Sequence, residues 1–533
     1  MSGLNGQARV EIAETLGVSP ELVRQMEEEG IDLLRTAEIL TKYNRGDYDH
    51  TEPVLVRGLP EVDGEQVLDL TGALALRLAL AEAKRNIGRL GLDVDITTIG
   101  RVEGEEIIFD RPALARLGVE LYPVTAYGVL NGGSASSYAD YKKNQDFNAD
   151  LFALYEPEFK VMAEICKGKA KGITPAFLHP NGQPGPSFME LKMRALLLET
   201  LRYQKWTGRK TTAFPLLFQM TSVYNNTQIQ EALQGYKESP LLKELIAATG
   251  VDVTEAKTGI QPMLAAFSPG TEKPKTLFTR AFGRENRFLP MPGGHGQNFL
   301  VLRDVYKELQ AKGIKYVSLG NVDNLGYTLD PVPLAITALL NRPGSFEFCF
   351  KTVVDVKGGI LVIDQHDRLN CADIGPAISK EEVLRAEKTG KKILFNCAIG
   401  LFSLDYLVSN LDRIIDQLPM RFSDQNKDAG HYSQAEQVTW EVIALMENPL
   451  IFGVDKYHRF LAAKILVETL MTSGIALDDP RFPADADPEK DLKAVAVNLH
   501  KGLTRKLETV YGMELAGDVW RPKTLAELER TLG

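Results

Sequence analysis

Four short segments of the chain combine residue types that handle phosphates, sugars or metal ions. The first, Leu130-Asn131-Gly132-Gly133-Ser134-Ala135-Ser136-Ser137, follows an apolar run. Glycines after a buried strand let backbone amides approach a phosphate, and hydroxyls add donors, although a tight connection has the same composition. In Lys167-Gly168-Lys169-Ala170-Lys171-Gly172, three cations stand beside glycines, a pattern that suits a polyphosphate or a solvated surface. Pro292-Gly293-Gly294-His295-Gly296 allows backbone contact with a flat base or a sugar hydroxyl, with His295 either facing that ligand or serving the fold. Asn321-Val322-Asp323-Asn324-Leu325-Gly326 puts an acid at a strand end, where Asp323 can hold Mg2+ through hard oxygen ligation or cap a helix.

Several chemistries are excluded by spacing. Neither the GxGxxG dinucleotide pattern nor the GxxxxGK[ST] phosphate loop occurs, and no serine-histidine-acid spacing suggests a nucleophilic triad. The four cysteines, Cys166, Cys349, Cys371 and Cys397, form no CxxC pair, so they read as buried small apolar residues rather than a zinc site or disulfide framework.

The elements that must position these segments alternate between short apolar runs and helical patterns, the signature of an α/β chain. Thr125 to Leu130 ends at Asn131-Gly132-Gly133, Phe214 to Phe218 at Met220-Thr221-Ser222, Lys315 to Leu319 at Asn321-Val322-Asp323, and Lys392 to Phe395 at Asn396. A helical pattern around Ile229 to Leu233 follows the second run. Ligands bind at the carboxyl ends of such strands, so the four endings are expected to converge. Phe346 to Leu369 alternates around Gly358-Gly359, and Asp364-Gln365-His366-Asp367 reads as a hairpin turn at a mixed sheet edge. Upstream, Ser19 to Tyr43 reads as a helical hairpin broken at Gly30, Gln66 to Leu90 as helical, and Glu105 to Phe109 as a strand. Downstream, the chain is helical in pattern from about Ser433, including Tyr457 to Met471, with breaks at Asp478 to Asp487.

Taken in order, these segments and four more resemble the UTP:glucose-1-phosphate uridylyltransferase (UDP-sugar pyrophosphorylase) family. Leu130 to Gly133 resembles the nucleotide-binding start, and Ala170-Lys171-Gly172 the Pro-Lys-Gly that closes the signature. Gln261-Pro262-Met263-Leu264 is similar to the Gln-x-Met-Leu of the UDP-N-acetylhexosamine branch. Pro292 to Gly296, Asn321 to Gly326 and Asp355-Val356-Lys357-Gly358-Gly359 resemble Pro-Pro-Gly-His-Gly, Asp-Asn-Leu-Gly and Asp-Val-Lys-Gly-Gly of the glucose branch. Phe395-Asn396 and Val454-Asp455-Lys456 fall where the family has Phe-Asn and Pro-x-Lys.

The resemblance implies a mixed, largely parallel Rossmann-like nucleotidyltransferase sheet with helical N-terminal and C-terminal parts. It implies transfer of uridylyl from UTP to a sugar 1-phosphate, glucose 1-phosphate first, with Mg2+ as cofactor and pyrophosphate as leaving group. Leu130, Asn131, Gly132, Gly133, Gln261, Gly293 and Gly294 would bind the nucleotide, and His295, Lys357, Gly358 and Asn396 the sugar. Asp323 would meet the metal, while Lys171 and Lys456 would supply catalytic charge. Two departures keep alternatives open. Ser134 to Ser137 replace the usual Gly-Thr core, and a segment from Tyr138 to Cys166 intervenes, either as a helical insertion that leaves the loop intact or as a changed triphosphate grip. After Asn396 the chain continues Cys397-Ala398-Ile399-Gly400 without further asparagines. The same chemistry on N-acetylglucosamine 1-phosphate or galactose 1-phosphate, or a non-catalytic UDP-sugar-binding protein, are the alternatives.

Composition sets the outer bounds. At 533 residues, 44% hydrophobic and 25% charged, the chain is expected to fold as a helical N-terminal region (1–120), a catalytic region (121–425) and a helical C-terminal region (426–533). The excess of 71 acidic over 61 basic residues argues against a nucleic-acid-coating surface, so an anionic substrate needs a local basic pocket. Neither a leader nor a bilayer-length apolar run is legible, and the chain reads as cytosolic with no membrane partner. Its C-terminal part lacks the short, evenly spaced strands of the left-handed β-helix seen in many relatives, so assembly through that module is not expected; the oligomeric state is left open.

Overall fold

Apolar runs that are buried on both faces form the middle of a ten-stranded sheet in the computed structural model, which describes residues 6–48, 54–210, 216–352, 355, 358–486 and 491–532. In chain order the strands are β1 (Val67–Asp69), β2 (Thr125–Leu130), β3 (Leu216–Ser222), β4 (Lys257–Gln261), β5 (Tyr316–Asn321), β6 (Gly344–Phe350), β7 (Gly359–Ile363), β8 (Leu369–Asp373), β9 (Leu394–Ser403) and β10 (Leu450–Val454). They lie side by side as β1-β10-β6-β9-β5-β2-β3-β4, with β7 on β9 and β8 on β7. Most neighbours are parallel; β9 runs antiparallel to both β5 and β6. All six residues of β2 are buried. Tyr127 and Val129 join one apolar cluster and Ala126 and Leu130 the other, as the two-residue repeat of a strand requires.

Helices cover both faces. Phe188–Thr207 is buried almost all round on one side, while Arg303–Ala311 and Leu411–Gln417 pack on the other. The expected N-terminal hairpin is present as Pro20–Glu28, capped by Ser19, and Leu33–Arg45, with Gly30 at positive φ between them. It docks through backbone bonds between Asp32 N–H and Met263 C=O (2.8 Å) and between Met263 N–H and Gly30 C=O (3.1 Å). The strand expected at Glu105–Phe109 is Glu106–Asp110. Tyr138 to Cys166 is a helical insertion, Tyr141–Gln145 and Ala149–Cys166, closed at its base by a bridge between Ser134 and Ala170. All four cysteine thiols are free and buried. No helix among the described residues is long and apolar enough to cross a membrane.

Four expectations need correction. Between Gln66 and Leu90 only Leu80–Gly88 is helical; Val67–Asp69 pairs with Ile451–Gly453, and Ala75–Ala79 pairs with Glu106–Asp110. Long-range backbone pairing there outweighs the helical periodicity. Ser433 begins no helix: it lies in the strand Gly430–Glu436 and exchanges backbone hydrogen bonds with Phe267. The run expected to stop at Asn396 continues to Ser403 past a bulge between Asn396 and Ile399, where Ala398 sits at positive φ. The stretch Tyr457 to Met471 is broken between Lys456–Arg459 and Leu466–Thr472, because residues there take backbone partners from the Asn324–Leu325 loop instead of from a helix. Both flanking regions also feed the sheet, β1 from residues 1–120 and β10 from 426–533. Residues 214–215, Val356, Lys357 and Asp487 lie outside the described residues.

Candidate active site

Strand direction brings the four endings to one edge. Gln261 pairs with Ser222, Met220 with Leu130, and Leu130 with Asn321, so β4, β3, β2 and β5 end together. β9 runs the other way, so its beginning lies at that edge, with Asn396 opposite Phe348 and Phe348 opposite Gly453. The convergence anticipated from the parallel pattern is therefore observed, and β6 and β10 extend the edge toward Lys456.

At one end lies the glycine loop. Asn225 donates to the Gly132 carbonyl (2.9 Å), a contact that nothing in the local pattern signals. The Gln261 amide donates to the Gly294 carbonyl and to Gln297 Oε1, both at 2.8 Å, and a side chain begun at Gly132 would stand 3.4 Å from Gln261 Oε1. Leu130, Asn131, Gly132, Gln261, Gly293 and Gly294 are thus connected through direct contacts. Thr439 N–H donates to His295 Nδ1 (3.1 Å), which leaves the ring proton on Nε2 in the neutral tautomer. Burial pushes His295 down to about 4 from its ordinary value near 6.5. The neutral form is the one the fold accommodates, so this histidine's contribution to stability is complete above pH ~6.5 and is lost as pH falls toward 4. Urea unfolding of the wild type should show that loss, and His295→Gln should show less of it; equal pH dependence in both would contradict the assignment.

The middle of the edge holds the charged pair. Lys171 Nζ donates to Asp323 Oδ2 at 2.6 Å and to the Ala463 carbonyl at 2.5 Å, and it lies 4.7 Å from the centre of the Tyr138 ring. Its backbone N–H donates to the Gly133 carbonyl (3.0 Å), which ties the cation to the glycine loop. Gly172 permits the approach, since a Cβ there would fall 2.1 Å from Asn131 Oδ1, itself buried and without a partner among the described residues. Asp323 stands alone: no group of three or more His, Cys, Asp or Glu side chains gathers among the described residues. One carboxylate in a polar setting fits Mg2+, which keeps waters and takes phosphate oxygens, and fits neither a zinc nor a calcium cage.

The loop behind Asp323 is held from below. The carbonyls of five consecutive residues accept from buried side chains: Asn324 from Lys192, Leu325 from Tyr511 (2.7 Å), Gly326 from Lys506 (3.3 Å), Tyr327 from Lys192 (2.6 Å) and Tyr127 (2.9 Å), and Thr328 from Arg459 (3.2 Å). Burial, followed by neighbouring cations, pushes Lys506 down to about 7 and holds Lys192 well below its ordinary value. Arg459 is balanced by Glu347 at 2.6 Å. Elements from three parts of the chain thereby fix the backbone that carries Asp323. The helical patterns around Lys192 and Lys506 had no feature that separates a buried lysine from an exposed one.

At the far end, Asn396 Oδ1 accepts from Ala398 N–H (2.8 Å) and its amide reaches Cys371 Sγ (3.4 Å). Gly358 adopts φ +133°, a conformation disfavoured for other residues, and a Cβ there would meet the Phe395 ring at 2.7 Å. A Cβ at Gly359 would lie 3.5 Å from Asp373 Oδ1 and 3.8 Å from Asn396 Cβ, so Asp373 borders the same spot. Sequence reasoning missed this acid, whose only signal is its place at the end of a hairpin strand. It also missed Arg421, which donates to Glu441 Oε1 at 2.5 Å. Burial raises the carboxyls of Asp373, Glu436 and Glu441. Lys456, buried with 6% of its side chain exposed, is ion-paired to Asp355 and donates to Thr352 (2.9 Å). Three strand spacings, roughly 14 Å, separate the strand that precedes Lys456 from the one that precedes Asp323, the ion-pair partner of Lys171.

Comparison with known proteins adds an independent finding. Residues 265–487 match the family model described as UTP--glucose-1-phosphate uridylyltransferase. Among solved structures, the uridine diphosphate N-acetylglucosamine pyrophosphorylase from Trypanosoma brucei, in complex with an inhibitor, superposes with a TM-score of 0.58 at 16% identity, covering 95% of this chain and 94% of that one. A mutant UDP-glucose pyrophosphorylase from Leishmania major gives 0.52 at 16% identity, covering 88% and 79%. Another mutant of that enzyme, in complex with UDP-glucose, gives 0.51 at 14% identity, covering 92% and 82%. At such identities these likenesses speak for the fold. Comparison with curated protein sequences gives no match.

Proposed function

We propose that the chain, whose residues 265–487 match the UTP--glucose-1-phosphate uridylyltransferase family model, is a member of that family and joins UTP and glucose 1-phosphate to give UDP-glucose and pyrophosphate, with residues 121–425 and strands β1 and β10 as the catalytic unit. The observation that carries the reading is the Lys171–Asp323 pair at the mouth of the glycine loop. It sets one cation and one carboxylate where a nucleotide laid along Gly132–Gly133 would place its phosphates.

In the proposed reaction an oxygen of the sugar phosphate attacks the α-phosphorus of UTP in line. The new oxygen–phosphorus bond forms as the bond to the oxygen bridging the α- and β-phosphates breaks, and pyrophosphate leaves with that electron pair. No protein atom bonds to substrate, so alignment and preorganised charge supply the rate. Leu130, Asn131, Gly132 and Gly133 shape the nucleotide cleft, and Gln261 with Gly293 and Gly294 meets the uracil edge. Lys171 neutralises phosphate charge, and Lys456 reaches the sugar phosphate from the C-terminal side. His295, Gly358 and Asn396 line the sugar end, with Lys357 as the fourth residue assigned there. Asp323 would hold Mg2+, which neutralises phosphate charge when bound.

The Gln261 to Leu264 segment supports a second acceptor, N-acetylglucosamine 1-phosphate, which product analysis over a panel of sugar phosphates separates from glucose. Retention of Lys171, Asp323 and Lys456 together supports turnover over mere UDP-sugar binding. If Gln261 and the neighbouring backbone read uracil, UTP should be preferred over ATP by at least about tenfold in kcat/KM, the worth of one hydrogen-bonding pair. Equal rates with both nucleotides would remove the uridylyl assignment.

A further inference from the structure

We propose that the 138–166 insertion supplies a pyrophosphate clamp, in which the Lys143 ammonium, with Lys464, holds the β- and γ-phosphates of the nucleotide and then pyrophosphate as it leaves. The proposal rests on the uridylyltransferase reading and explains how a chain with Ser134 to Ser137 in its loop keeps a grip on a triphosphate.

The insertion folds back over that loop. Lys143 Nζ lies 3.0 Å from Ser137 Oγ and 3.5 Å from the Ser137 carbonyl. The next residue, Asn144, is buried and fixes the geometry: its amide donates to the Tyr138 carbonyl (3.0 Å), and its oxygen accepts from Val467 N–H (2.9 Å). Tyr138 in turn lies against Lys171 and hydrogen-bonds Thr469 through its hydroxyl (2.5 Å). Ala463, whose carbonyl takes the Lys171 ammonium, immediately precedes Lys464. The Glu468 carboxylate caps the backbone N–H groups of Lys464 (2.5 Å) and Ile465 (3.1 Å). Lys143, Lys171 and Lys464 are thereby gathered around Tyr138 and Ala463 on a packed base that includes Phe152, Leu466 and Leu470.

Two features make this gathering a ligand site. Lys143 and Lys464 are exposed and form no ion pair among the described residues, whereas Lys171 is already paired with Asp323. Partial burial, and next the field of Lys171, lower the Lys143 pKa; Glu468 and Asp140 oppose this and Lys464 adds to it, so all of these charges lie within reach of the Lys143 ammonium. Two exposed ammonium groups that form no ion pair among the described residues, beside a third that is already paired, leave charge for a compact polyanion, and their rotatable donors suit phosphate oxygens. The helical insertion therefore changes the origin of the grip and leaves the glycine loop in place.

The test is calorimetric titration of inorganic pyrophosphate with Mg2+, and separately of UDP-glucose, into the full chain and its variants. Lys143→Ala should weaken pyrophosphate by about tenfold, the worth of one charge-assisted contact, with UDP-glucose binding little changed. Lys143→Arg should restore most of the loss, and the KM for UTP should rise while that for glucose 1-phosphate stays. Unchanged pyrophosphate affinity in Lys143→Ala would overturn the clamp, as would equal weakening of pyrophosphate and UDP-glucose, the mark of a structural role. A wild-type chain that binds neither ligand would instead overturn the uridylyltransferase reading, and the clamp with it.

Discussion

Lys171→Ala is expected to lower kcat by about 10² to 10³, the scale of removing one preorganised charge from a developing phosphate anion. The side chain is only 11% exposed and already oriented by Asp323 and the Ala463 carbonyl, so little reorganisation is left for the moment of reaction. Asp323→Asn should cost a similar factor and remove the dependence on added Mg2+. Since the two side chains bond to each other and are proposed to act on the same phosphates, the double variant should lose much less than the product of the single losses. Steady-state rates of the two single variants and the double variant test this. A folded Lys171→Ala chain with wild-type kcat, or full wild-type turnover in a chelator, would be incompatible with it.

Lys456→Ala is expected to act on both stability and rate. Its ammonium and Asp355 form a pair in which each side chain is 6% exposed, so truncation leaves a buried carboxylate uncompensated, at a cost of about 3 to 5 kcal/mol. Turnover should fall by roughly 10² to 10³ with a smaller effect on UTP affinity. Asp355→Asn placed in the same chain removes the stranded charge, and should recover the unfolding midpoint without recovering kcat. Recovery of both would mean that Lys456 is purely structural. Because Lys456 follows a strand three places from the one that leads to Asp323, its catalytic role requires the C-terminal segment to move toward the phosphates when substrates bind.

The parts of this site that were legible in the sequence are those with local causes. Thr125 to Leu130 and Lys315 to Leu319 read as strands because both faces are buried, and their glycine, asparagine and aspartate endings follow from the turns required there. The carboxyl-edge rule then places Asn131, Ser222 and Asp323 together. Val67–Asp69 was misread because its partner, Ile451–Gly453, comes from the opposite end of the chain, and no local pattern encodes that pairing. Lys192, Lys506 and Arg459 escaped for a related reason. A lysine among helical apolar residues looks solvated until tertiary packing closes over it, and only then do the Asn324 to Thr328 carbonyls supply its partners. Asp373 comes beside Gly359 and Asn396 through the packing of a hairpin, and Arg421 reaches Glu441 from another strand, neither of which leaves a motif. The insertion was visible as an interruption, but its chemistry depends on where Lys143 is folded back.

The measurement that tests the central claim most directly is the joint appearance of pyrophosphate and UDP-glucose from UTP and glucose 1-phosphate, followed with and without Mg2+ using the purified full chain. Equimolar formation of both products, abolished by chelation and restored by added Mg2+, is the predicted result. Absence of both products across glucose, N-acetylglucosamine and galactose 1-phosphates, in a folded protein that binds UDP-glucose, would contradict the account and leave a binding protein in place of an enzyme.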